Sequence, residues 1–147
     1  MSDSKKNADL ERAVSILAEN ETYTCVLVKD DEVVFSDAHG VRALLKWIGE
    51  GKELAGFSSA DRIVGKAAAL LYANMGIAAV HACTISAAAR EVLEQNEICY
   101  EFENEVPQIL NRDGTDMCPM EKAVSNTLDP KEAPALLVQA VQAMRKK

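Results

Sequence analysis

The chain has 147 residues, 48% of them hydrophobic and 27% charged, with a formal net charge of −7 and a pI near 4.9. That length suits one domain, residues 1–147, able to bury roughly two thirds of the surface that the unfolded chain exposes. The acidic balance argues against partners such as nucleic acid or an anionic membrane surface, and no apolar run approaches the ~18 residues needed to span a bilayer.

Residues 1–7 read as a disordered tail. From Asp9 to Asn20, Leu10, Ala13, Val14, Leu17 and Ala18 recur at helical spacing, which predicts an amphipathic helix. Thr24–Val28 and Glu32–Ser36 are β-rich runs around Lys29-Asp30-Asp31 and predict an antiparallel hairpin. Asp37-Ala38-His39-Gly40 offers an Asp cap to a second helix, whose inner face carries Val41, Leu44, Leu45 and Ile48 and which ends near Gly49–Gly51. Ala60–Val64 reads as a short strand feeding an apolar helix that starts at Lys66 and stops at Gly76. Ile77–Ile85 is a buried strand, and Ser86–Asn96 a capped helix with Ala89, Val92 and Leu93 inward. Ile98–Glu103 alternates as another strand, and Asn111-Arg112-Asp113-Gly114-Thr115 is turn chemistry. A helix begins at Cys118-Pro119 and runs toward Asn126. Asp129-Pro130 caps a last helix with Leu136, Leu137, Val141 and Met144 inward. A hairpin followed by strand–helix alternation implies a mixed sheet of about five strands with helices on both faces, a three-layer α/β/α domain.

Met1 to Glu11 is mostly polar and lacks the basic-then-apolar pattern of a secretory signal. Cys25, Cys83, Cys99 and Cys118 are far apart, with no CxxC pair. The first three sit in strand-like apolar runs, where cysteine behaves as a small buried hydrophobe. The expectation is a reduced, cytoplasmic protein without disulfides.

Four ordered segments carry a resemblance: Gly40-Val41-Arg42-Ala43-Leu44-Leu45, Gly56 through Ala69, Asn111 through Thr115, and Cys118-Pro119-Met120-Glu121. Through them the chain resembles a small prokaryotic family known only as a domain of unknown function, a branch of the cytidine-deaminase-like fold without the zinc site. The resemblance implies that fold and a retained ligand pocket. A zinc deaminase uses a His or Cys ligand with Glu two residues later, then a Pro-Cys-x-x-Cys pair on the next helix. Here the first helix begins Gly65-Lys66-Ala67-Ala68 and the next Ser86-Ala87-Ala88-Ala89. His81 and Cys83 precede that second helix in a strand. The protein is therefore expected to carry no metal and no cofactor, and zinc-dependent deamination by the usual mechanism is excluded.

Lys66 is the unusual residue, a cation in the first turn of an apolar helix, where the dipole favours anions. Three readings stand: a solvated lysine, a structural pair with Asp61 or Glu121, or a binding lysine that joins Gly65 and free first-turn amides in holding a small anionic or nucleotide-like ligand. Ser58, Ser59 and Asp61 line such a pocket from the preceding loop or merely make turns. Thr84 and Ser86 lie at a strand end, where open sheets place ligands, although Ser86 serves equally as an N-cap. His39 faces the same cleft or stays an exposed loop residue. Cys118, with Glu121 three residues on, is a reactive thiol at a helix start or a packed one beside a capping Glu121. These residues support a ligand-binding or regulatory module, with two alternatives: a zinc-independent enzyme using Lys66 with Cys118 or Glu121, or a structural protein. Apolar helical faces on an acidic surface fit a homodimer.

Overall fold

The computed structural model describes residues 2–38, 41–111 and 113–145. Six helices and five strands alternate in the anticipated order: α1 (Ser2–Glu19), β1 (Cys25–Lys29), β2 (Glu32–Ser36), α2 (Arg42–Gly49), β3 (Ser58–Val64), α3 (Lys66–Met75), β4 (Ala79–Ser86), α4 (Ala87–Gln95), β5 (Cys99–Val106), α5 (Pro119–Ala123) and α6 (Ala133–Arg145). The strands form one mixed sheet in the order β2-β1-β3-β4-β5. β1 pairs antiparallel with both β2 and β3, while β3–β4 and β4–β5 are parallel. The parallel pairs arise because each connection carries a crossover helix, α3 or α4, whereas Asp30, at φ 53, closes the tight β1–β2 turn.

The two faces of the sheet are covered unequally. α1 packs on one side, where Ala13 and Leu17 meet Val26 and Val28 of β1 and Ala60 of β3. The opposite side carries the main core, in which Leu70, Leu71 and Tyr72 of α3 are fully enclosed among Leu44 and Trp47 of α2, Val92 and Leu93 of α4, and Leu137 of α6. An α3 apolar on every side is what a central helix between other helices requires. Gly76 takes the left-handed conformation (φ 75) that ends it.

Several boundaries depart from the sequence expectation. α1 takes in Ser2–Asn7, set aside above as a tail, because extending a formed helix through Lys5 and Lys6 needs no new nucleus. Ser58 and Ser59 belong to β3 and not to the loop before it, since β1 and β4 flank them on both sides (Val28↔Ser58 and Ser58↔Ala79). Asp37 is not the cap of α2: the N-cap is Val41, with no side-chain bond. Met144 is 44% exposed, as the last turns of α6 outrun the core that buries Leu137. Cys99 is exposed and Cys83 half-buried, against the expectation that both are buried. β5 is an edge strand with little covering it, so its alternation does not translate into burial.

Candidate functional site

Where β3 runs out into α3, a cleft of about 640 Å³ opens between the sheet and α5. Its walls include Tyr23 and Thr24 ahead of β1, Asp61 and Ile63 of β3, Gly65 and Ala68 at the start of α3, and Cys118, Met120 and Glu121. The lining is mostly apolar, with carboxylates of Glu21, Asp37, Asp61 and Glu121 among the polar groups.

Glu121 governs the start of α3. A helix leaves its first amides without internal partners, and Gly65 has no side chain with which to cap them. The Glu121 carboxylate accepts the Lys66 amide at 2.8 Å and the Ala67 amide at 2.8 Å, across a sequence separation of more than fifty residues. Gly65 is required by space, not conformation: a Cβ there would stand 2.6 Å from the Glu121 carboxyl carbon. Burial pushes the Glu121 carboxyl above its ordinary value, and the two amides and the Lys66 charge hold it back. The Lys66 ammonium turns outward and donates to the Ser125 carbonyl at 3.2 Å. The first-turn amides of Lys66 and Ala67 are therefore not free for a ligand anion, because the protein supplies its own.

Asp61 is the second organised group. Ser59 Oγ donates to Tyr72 Oη at 2.9 Å, and Tyr72 Oη donates to Asp61 Oδ2 at 2.6 Å. Ser59 and Tyr72 are fully buried, so this is a relay running from beneath α3 to a carboxylate on the cleft wall. The Ile63 amide donates to Asp61 Oδ1 at 3.3 Å. Burial raises the Asp61 carboxyl to about 6, with the Tyr72 hydroxyl and the Ile63 amide opposing. The adjacent Arg62 does not neutralise the cleft: its guanidinium donates to the carbonyls of Tyr23 (2.7 Å), Leu17 (3.0 Å) and Asn20 (3.1 Å), tying down the end of α1.

The remaining predicted residues scatter. Asp61, Gly65, Cys118 and Glu121 meet at the cleft, whereas Ser58, Thr84 and Ser86 do not line it. Ser86 is buried as the N-cap of α4, its Oγ accepting the Ala89 amide at 3.1 Å. Lys66, Ser86 and Glu121 border a separate hollow of about 210 Å³ on the other side of α3's first turn. Cys118 is half-buried at the start of α5, and Cys25 is buried, its thiol pushed up by burial and by Asp61. His39 lies outside the described residues, as does Arg112.

Two groupings escaped sequence reasoning. Tyr72 reads as one more large residue on an apolar helix, and only the placement of α3 over β3 sets its hydroxyl between Ser59 and Asp61. His81, on β4, is flanked by Glu101 and Glu103 of β5, a meeting set by the parallel register His81↔Glu101.

Fold and cleft together define a mixed α/β domain with an acid-lined hollow at the first turn of its central helix. Residues 12–141 match the family described as Domain of unknown function (DUF1893), and the chain belongs to that family. It is similar to a DUF1893 family protein (TM1506) from Thermotoga maritima, known from a crystal structure, with a TM-score of 0.80 and 25% identity over 90% of this chain and 89% of that one. The resemblance to a prokaryotic family of unknown function is thus borne out. No curated protein matches the sequence. Among the described residues, no helix is long and apolar enough to cross a membrane.

Proposed function

We propose that this protein is a small-molecule-binding module whose cleft takes a largely apolar ligand presenting N–H donors, with the character of a heterocyclic base. The observation that carries the reading is the Ser59–Tyr72–Asp61 relay, which orients a carboxylate into an apolar hollow. A few placed polar groups in an otherwise apolar concavity are the usual composition of a small-molecule site. Asp61 and Glu121 retain acceptor capacity beyond the bonds they already make. The preponderance of carboxylates, with Arg62 committed elsewhere, favours a neutral or cationic ligand over an anion. This narrows the nucleotide-like ligand expected from the sequence to its base; of the residues expected to bind it, the reading keeps Asp61, sets Lys66 aside and adds Glu121. The sequence's resemblance to the cytidine-deaminase-like fold adds support for the base by analogy alone.

Thermal-shift titration with aminated and oxo-substituted heterocycles at neutral pH tests the reading. Binders should stabilise the wild type and lose about tenfold to a hundredfold in affinity in Asp61→Asn, the worth of one charge-assisted bond. Stabilisation by inorganic phosphate or a nucleoside monophosphate that disappears in Lys66→Met would instead return the site to Lys66.

A further inference from the structure

On the opposite face of the sheet, under the flank of α1, β4 and β5 bring together a set of side chains unrelated to the cleft. His81 is buried, with 8% of its surface exposed, and both of its ring nitrogens meet carboxylates. Nδ1 lies against Glu101 Oε2, and Nε2 is 3.0 Å from Glu103 Oε2. Cys83, two residues along β4, lies beside Glu103. Ligand atoms of His81, Cys83 and Glu103 all lie within 4.8 Å of one another.

We propose that His81, Cys83 and Glu103 form a binding site for a zinc-like divalent transition metal, with Glu101 as the group that orients His81. The donor set is one imidazole, one thiolate and one carboxylate, the three ligand types that zinc takes. Metal-bound histidines almost always give their second ring nitrogen to a carboxylate or carbonyl, which fixes ring and tautomer. Glu101 on Nδ1 supplies that partner and leaves Nε2 on the side of Glu103. The 3.0 Å between Nε2 and Oε2 approaches the spacing of two ligands, each about 2.0–2.2 Å from a shared tetrahedral zinc. Successive outward positions on one strand point to the same face, so His81 and Cys83 project together, and the parallel register sets Glu101 beside His81. Three protein ligands leave a fourth position for water. An entry path exists as well: Glu101 and Glu103 have side chains 59% and 57% exposed, and Glu101 borders a hollow of about 580 Å³ beside α1. This place is separate from the starts of α3 and α4, where the deaminase pattern puts its metal and where Lys66, Ala68 and Ser86 offer no ligand set.

The test uses Co2+ as the probe, added to the full-length reduced protein purified without a histidine tag. One equivalent should give a thiolate-to-cobalt charge-transfer band together with tetrahedral d–d bands, and one equivalent of Zn2+ should bleach both. Cys83→Ser should abolish the charge-transfer band, while Cys99→Ser and Cys118→Ser leave it intact. Glu103→Gln, at an exposed side chain with no role in the core, should weaken Co2+ binding at least tenfold, and Glu101→Gln about tenfold to a hundredfold through His81. No charge-transfer band at one equivalent would overturn the site, as would a band that survives Cys83→Ser or is indifferent to Glu103→Gln.

Discussion

α3 and α4 leave neighbouring parallel strands in the same direction, yet their first turns are finished differently. At α4 the cap is local: Ser86 bonds the Ala89 amide three residues on. At α3 the preceding residue is Gly65, and the cap is Glu121, brought in from α5. A local cap stabilises one helix and commits nothing else. A distant cap also fixes where α5 sits, and α5, with Cys118 as its N-cap, brings Met120 and Glu121 to one wall of the cleft. Gly65 is the complement of that arrangement, since any side chain there would displace the carboxylate.

The largest effect is therefore expected at α3. Glu121→Gln keeps the volume but turns an amide donor toward one of the two backbone N–H groups. Leaving that buried donor unmatched should cost about 2 kcal/mol, within the usual range for an unsatisfied buried group. Gly65→Ala should approach the same loss from the other side by expelling the carboxylate, at about 1–3 kcal/mol for overpacking. Urea denaturation of both variants measures this, and the pair should be strongly non-additive because each breaks the same contact. Full additivity would mean that Glu121 and Gly65 act independently, and the comparison with α4 would fail.

The next effect separates the cleft carboxylate from ordinary surface acids. Asp61 titrates near 6 in the folded protein, against an unfolded value near 3.8. Between those values the folded state holds more protons than the unfolded one, so this group lowers stability as pH rises from about 4 to 6 and adds nothing further above. Asp61→Asn should remove that slope. With the cleft open to water, the contribution is about 1–2 kcal/mol across the window. Denaturation midpoints of wild type and variant at pH 4.5 and 7 check it: the wild-type difference should shrink in the variant, and an unchanged difference would place the Asp61 carboxyl in an ordinary solvated setting.

The same contrast explains how much was legible beforehand. Element order, the hairpin, the Gly76 stop and the Ser86 cap all depend on residues within a few positions of one another, and each was readable from spacing and side-chain type. The Glu121 cap, the Tyr72–Asp61 bond and the His81–Glu101 contact link residues from 11 to 54 or more positions apart, and only strand order and register bring them together. Lys66 shows the consequence. The amides of its first turn are met by the Glu121 carboxylate, 55 positions along the chain, a partner that no local spacing announces. Cys99 shows the converse: its apolar neighbours implied burial, and the sheet left its strand at an edge.

The smallest effect is expected at Ser86. Ser86→Ala removes a single hydroxyl acceptor, and loss of such a cap typically costs about 1 kcal/mol. Ser86 borders the 210 Å³ hollow beside Lys66 but not the larger cleft, so ligands of the cleft should bind the variant as they bind the wild type. Ser86→Ala thus lowers stability by helix capping alone and serves as the reference for Glu121→Gln, which should lower both stability and cleft binding by shifting α5. Parallel measurement of denaturation and of ligand affinity distinguishes the two. If Ser86→Ala weakened cleft binding as much as Glu121→Gln did, the cap of α3 would hold no special relation to the cleft, and both losses would reflect general loosening of the helices above the sheet.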